Sequence, residues 1–289
     1  MHSGPARPFV GNFPPGLLER VRALASGQLE PVPARPSATV ALLRDTSRGI
    51  EVFLLRRVAS MAFAAGMHVF PGGGVDPRDA WVDAGAPVAP PEQWPALLSA
   101  DPALTAALAC AAVRETFEEC GVLLAAGRDQ PQGVLPDVSG TEWERDRLAL
   151  AAHEVALSEL LARRGLALRA DLLGPWAHWI TPDFEQRRFD TRFFVAALPS
   201  GQQARHVGGE SERSVWIRPA DAVAGYEDGA LPMLPPTVAV LRELAGYPEV
   251  AAVLAAVPGR TIRPVQPVAV LDGQGARLVL PGEAGVADD

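Results

Sequence analysis

The sequence predicts an α/β sandwich built on a mixed β-sheet, and three observations carry that expectation. Apolar runs at 37–44 and 50–57 flank the polar stretch Asp45–Gly49 and read as two strands of a hairpin. A long helical pattern follows at roughly Pro102–Ala126. Further strand patterns, at Trp176–Thr181, Arg188–Leu198 and Ser214–Ile217, come after it, so strands surround a central helix.

The remaining elements follow in chain order. Residues 1–36 are Pro-rich with a short amphipathic stretch, Leu17 to Leu24, and read as an arm. Residues 68–70 give a short strand ending at Pro71-Gly72-Gly73-Gly74, where the glycines demand a tight turn or close backbone approach. Residues 77–102 are rich in Pro, Trp and Ala, with a short helix at Glu92–Ala100. Glu142–Arg164 reads as a second long helix, 219–225 and 235–246 as further helices, and 265–280 as a hairpin around Asp272-Gly273. There is no internal repeat and no linker long enough to separate domains. The expected organisation is an arm (1–36), one domain (37–246, with an insert at about 80–106) and an extension (247–289) on the same domain.

Composition narrows the chemistry. The 289 residues are 48% hydrophobic, enough for a sizeable core. A net charge of −8 disfavours a nucleic-acid binder, which must neutralise phosphates. It leaves room for a small phosphorylated ligand held by one or two arginines. All 26 basic residues are Arg. Without lysine, neither a Schiff base nor a P-loop is possible. Cys110 and Cys120 sit ten apart on one helix, about 15 Å by the rise per residue, too far for a disulfide. They read as buried residues of a reducing compartment. With no signal-peptide core and no apolar run approaching a membrane span, a cytoplasmic protein off the membrane is expected.

The most informative stretch is Arg114-Glu-Thr-Phe-Glu-Glu-Cys-Gly-Val122. On a helix, Glu115, Glu118 and Glu119 share one face. Val113, Phe117, Cys120 and Leu124 lie opposite and can enter a core. Three like charges side by side repel unless a cation sits among them; hard ions such as Mg²⁺ or Mn²⁺ suit carboxylate oxygens. A solvated acidic helix face is the competing reading. Arg114, four residues before Glu118, can pair with it.

The glycine turn and this helix together resemble the Nudix box, Gly-x5-Glu-x7-Arg-Glu-U-x-Glu-Glu-x-Gly-U, where U is a bulky aliphatic residue. The second half matches at Arg114, Glu115, Glu118, Glu119, Gly121 and Val122, and departs at Thr116. Counting from Gly73, the first Glu position holds Asp79. Thirty-four residues separate Asp79 from Arg114 where the box has seven, an insertion of about 27. This split box is similar to that of the acyl-coenzyme A diphosphatase branch. Leu54-Leu55-Arg56-Arg57, Gly66–Gly73, Trp179-Ile180-Thr181-Pro182 and Arg187–Thr191 are also similar to that branch. One position departs: a second Arg of the coenzyme A signature is Ala62 here.

The resemblance implies a Nudix-type α/β/α sandwich and hydrolysis of a diphosphate in coenzyme A or acyl-CoA. It implies Mg²⁺ (or Mn²⁺) on Glu115, Glu118 and Glu119, with Arg114 holding their geometry and one of the acids, or Glu212, handling water. Glu210 lies beside Glu212. Arg57, Arg188 and the turn glycines Gly72 and Gly73 are the expected substrate-binding residues, with Arg187 beside them. Asp76 and Asp79 either cap the turn or approach the metal. His68, Trp176 and Trp179 are expected to be structural. A homodimer is compatible with the chain. Two alternatives stay open: another nucleoside diphosphate substrate, such as a nucleotide sugar, ADP-ribose or NADH, and a ligand-binding Nudix domain without catalysis.

Overall fold

The structure is a computed structural model that describes residues 15–59, 64–80, 90–209, 211–272 and 275–281. In chain order the elements are α1 (Pro15–Ala25), β1 (Arg35–Thr46), β2 (Gly49–Arg57), β3 (His68–Val69), β4 (Gly72–Gly74), α2 (Trp94–Leu97), α3 (Pro102–Cys120), β5 (Ala125–Gly127), α4 (Thr141–Ala151) and α5 (Leu157–Arg163). They continue with β6 (Leu166–Leu168), β7 (Gly174–Ile180), β8 (Phe189–Ala197), β9 (Ser211–Ile217), α6 (Pro219–Glu227), α7 (Pro235–Leu244), α8 (Val250–Ala256), β10 (Pro264–Val265), β11 (Val268–Asp272) and β12 (Gly275–Val279). The chain forms two compact units, one of residues 36–177 and 192–262, the other of 1–35, 178–191 and 263–289.

In the larger unit the sheet runs β7-β8-β1-β2-β3, with β4 pairing β1 and β9 pairing β2. Strands β1 and β2 read as continuous apolar runs because both of their faces are covered. One face supplies Ala38, Val40, Leu42, Phe53 and Leu55 to a core shared with Leu108, Val113 and Phe117 of α3 and with Leu150, Leu157 and Leu160 of α4 and α5. The alternate residues Leu43, Val52 and Leu54 are equally buried and point the other way. The β1–β2 turn is shorter than expected: Asp45 stays in β1, pairs with Ile50, and its carboxylate accepts the Val250 N–H at 2.9 Å.

Helix α3 begins where Asp101 accepts the Leu104 N–H at 2.7 Å, with Pro102 at the first helical position. It ends at Cys120 rather than Ala126, because Gly121 takes φ +72° and returns its N–H to Phe117 O. The expected helix 142–164 is two helices. His153, at φ +58°, breaks it, and the chain restarts at Leu157. Helix α8 was not foreseen. The expected short helix at 92–100 reduces to α2; its Trp94 and the capping Leu98 just after it are buried in the same core, Trp94 against Phe194. Arg192 donates to Leu98 O and Ser99 O at 3.1 and 3.2 Å.

In the smaller unit β10 pairs in parallel with His178 and Trp179 at the end of β7, so parallel and antiparallel pairings coexist. The β11–β12 hairpin is where the sequence placed it, and α1 packs on it. Among the described residues no helix is long and apolar enough to cross a membrane.

Candidate active site

Strand β4 consists only of glycines, and two of them have no space for a side chain. A Cβ on Gly72 would come within 2.5 Å of Ala38 O across the β1–β4 pairing. A Cβ on Gly73 would come within 2.6 Å of the Glu115 carboxyl carbon. The bare backbone thus lets α3 press its acidic face against the turn. The Gly72 N–H donates to Glu119 Oε2 at 2.9 Å, a second direct link between turn and helix.

Past the turn, Asp76 opens a single 3-10 turn, Pro77–Asp79, and the Asp79 carboxylate accepts the Asp76 N–H at 2.8 Å. The buried Asp79 also meets Arg114, through Nε–Oδ1 at 2.8 Å and Nη2–Oδ2 at 2.9 Å. Arg114 is buried and fully occupied. Nη2 donates to Gly74 O at 2.9 Å, Nη1 to Glu115 Oε1 at 2.7 Å, and Nη1 to Glu118 Oε2 at 3.3 Å. The expected Arg114–Glu118 pair therefore exists, but it is the longest of Arg114's contacts.

One guanidinium serving three acids leaves negative charge in a desolvated place. Burial pushes the Glu115 carboxyl above the usual carboxylate range, more than Arg114 draws it down, and the Glu118 charge adds to the rise. Glu118 is raised too, again by burial first. Among the described residues no three His, Cys, Asp or Glu side chains converge as a ready-made metal cage. Glu115 and Glu118 turn toward Arg114, and Glu119 turns toward Gly72.

A family described as the NUDT19 Nudix domain matches residues 23–244. The chain belongs to this Nudix family. A human protein named acyl-coenzyme A diphosphatase NUDT19 is 27% identical over 304 aligned residues, covering 90% of this chain and 77% of its own length. Its Xenopus laevis counterpart is 25% identical, covering 71% of this chain and 62% of its own length. The crystal structure of a NUDIX hydrolase from Alicyclobacillus acidocaldarius superposes with a TM-score of 0.65 at 31% identity, over 78% of this chain and 96% of that one. The chain is a Nudix hydrolase with the α/β sandwich expected of that fold.

In this Nudix hydrolase the box residues Gly72, Gly73, Asp79, Arg114, Glu115, Glu118 and Glu119 form one cluster despite the insertion. Arg57 ends β2 on the face that carries Phe53 and Leu55, the side that packs on α3. Glu212 is the extra residue of a β-bulge: Arg56 pairs with Arg213 and Arg57 with Ser211, skipping Glu212. Its carboxylate lies 3.1 Å from Arg56 Nη1. Arg188 belongs to the smaller unit, where its guanidinium donates to Thr181 O and Val32 O and pairs with Asp183. Glu210 and Ala62 lie outside the described residues.

Trp176 is buried with Arg260 stacked on it at 3.7 Å, and Trp179 is also buried, so both are packed as structural residues. His68 is buried, its main-chain N–H donates to Pro232 O at 2.8 Å, and burial lowers its pKa. Sequence reasoning missed Arg147, Glu144 and Arg205, which gather at the end of α3. The only signal was the i, i+3 spacing of Glu144 and Arg147, and nothing in it points at α3.

Proposed function

We propose that this chain hydrolyses the diphosphate of coenzyme A or an acyl-CoA, releasing 3′,5′-ADP and a phosphopantetheine product. The observation that carries the chemistry is the cluster of Glu115, Glu118 and Glu119 held against the glycine turn by Arg114 and Gly72. It supplies hard oxygen donors and an excess of buried negative charge, which fits Mg²⁺ or Mn²⁺. The bound ion would neutralise charge on the diphosphate and make a bound water acidic. Glu115, Glu118 and Glu119 would hold it, and Arg114 keeps their rotamers while Asp79 keeps Arg114. Glu118 or Glu212 would accept the proton of the attacking water. The Gly72–Gly73 backbone and Arg57, on the α3 side of the sheet, would line the phosphates. Arg188 has its donors engaged in the smaller unit, and we leave it outside the binding set.

The coenzyme A assignment draws on the activity for which the human and frog relatives are named and on the split box. The free, buried Cys110 and Cys120 suit a reducing cytoplasm. Incubation with CoA, acyl-CoA, NADH, ADP-ribose and dNTPs, with and without MgCl₂ or MnCl₂, tests it. The expected result is metal-dependent release of 3′,5′-ADP with CoA or an acyl-CoA preferred. Preference for ADP-ribose or NADH would move the assignment to another nucleoside diphosphate derivative, the reading that Ala62 keeps in view.

A further inference from the structure

Two arginines that play no part in the chemistry above converge on the last turn of α3. The end of a helix leaves up to four carbonyls without partners in the helix. Here Phe117 O accepts the Gly121 N–H at 2.9 Å, and Cys120 O accepts the Arg205 N–H at 3.0 Å. Glu118 O accepts Arg147 Nη1 at 2.7 Å. Arg147 reaches it from α4, and its side chain is only 5% exposed. Its remaining donors go to Glu144, at 2.5 Å from Nη2 and 3.1 Å from Nε.

Glu144 also accepts Arg205 Nη2 at 2.7 Å. The Arg205 guanidinium lies over Gly121, where an added Cβ would sit 2.6 Å from Nη1. A side chain at Gly121 would be strained by the left-handed backbone, φ +72°, and would also push the Arg205 guanidinium aside. The two cations also face the negative end of the α3 dipole.

A cap of this kind stabilises any helix. This one differs because the carbonyl that Arg147 grips belongs to Glu118, and Glu119 is the next residue. Both carboxylates ride on the turn that would fray first without it. A shift of about 1 Å in such groups costs on the order of 10²-fold in rate. We propose that Arg147, held by Glu144 and backed by Arg205, is a positioning residue that sets Glu118 against Arg114 and Glu119 against the glycine turn.

The inference rests on the diphosphatase reading, so its test needs one readout that does not. In the full chain, Arg147→Met is expected to lower kcat on CoA with MgCl₂ by about tenfold or more, with KM changed less than about twofold. Arg147→Lys keeps a cation that can reach both Glu118 O and Glu144, and should recover most of that loss. Titration with Mn²⁺, followed by the EPR signal of the free ion, should show affinity weakened about tenfold in Arg147→Met and near wild type in Arg147→Lys. If Arg147→Met shows no cooperative melt, Glu144→Gln replaces it and should show the same kcat loss in milder form. An unchanged kcat, or a raised KM at unchanged kcat, overturns the proposal. If the wild type hydrolyses no diphosphate, the functional reading fails by itself. The Mn²⁺ titration then decides alone, and equal affinities for wild type and Arg147→Met overturn the positioning role.

Discussion

Asp79 and Arg114 stand 35 positions apart and are joined by two parallel hydrogen bonds of 2.8 and 2.9 Å, with both side chains buried. This pair closes the box that the insertion splits. It ties the end of the glycine loop to the acidic helix, and Arg114 passes the constraint on to Glu115 and Glu118.

Removing one partner leaves the other charge buried without compensation. Asp79→Ala should therefore cost about 3–5 kcal/mol, measured by urea unfolding of the full chain. Asp79→Glu, which restores the acid found at this place in the box, should cost much less. Equal losses in both variants would mean that the Arg114 pairing is not what Asp79 supplies.

Adjacent glycines should behave differently. Gly73→Ala drives a methyl into the Glu115 carboxylate, whereas a Cβ on Gly74 meets nothing within 4 Å. Gly73→Ala should lose roughly 10²-fold in kcat/KM through displaced carboxylates, and Gly74→Ala should stay near wild type. Steady-state kinetics on both variants, with circular dichroism to show retained fold, checks this.

Chelation with EDTA should abolish turnover, and added Mg²⁺ or Mn²⁺ should restore it. Glu119→Gln keeps the size of the side chain and an oxygen for the Gly72 N–H but removes a charged donor. It should lower kcat by about 10³-fold, equivalent to about 4 kcal/mol of transition-state stabilisation. Substantial turnover by this variant would remove Glu119 from the metal set.

Acid stability should reveal the Glu144 clamp. Hydrogen bonds from Arg147, chiefly, draw the Glu144 pKa down from 4.5 to about 2; burial opposes them, and the Arg205 hydrogen bond adds to the fall. A depressed acid contributes stability above its unfolded value and loses it as pH falls through the folded one. The stability gap between wild type and Glu144→Gln should thus be positive at pH 7 and shrink between pH 4.5 and about 2. A gap that stays constant over that range counts against the ion pair as its source.

The insert should matter to the core. Trp94 is 3% exposed and packs on Phe194 with ring centroids 5.6 Å apart. Trp94→Ala should cost about 3–5 kcal/mol in a thermal or urea melt. A much smaller cost would mean that residues 90–101 are a dispensable appendage.

Local information reached far in this chain. The strands β1, β2, β7, β8 and β9, the helices α6 and α7 and the terminal hairpin follow from runs of apolar residues and turn chemistry, which act over a few positions. The cluster of Glu115, Glu118 and Glu119 was legible for the same reason: i, i+3 and i+4 share a helix face whatever surrounds them. The meaning of Gly72, Gly73 and Gly121 was legible only as a demand for space or curvature. What occupies that space, Ala38 O, the Glu115 carboxylate and the Arg205 guanidinium, comes from elements far away in sequence.

Sequence alone therefore determined the fold class, the family and the acids proposed to carry the chemistry, because each is written in short-range pattern or in a motif. Tertiary structure decided that Asp79 rather than Glu118 is the principal partner of Arg114, and that α3 stops at Gly121. It also decided that Glu212 faces Arg56 from a bulge, that Arg188 pairs with Asp183, and that Arg147 grips the end of the acidic helix. Each of these depends on which backbone or charge a folded chain brings within hydrogen-bonding reach, and spacing along the sequence does not encode that distance.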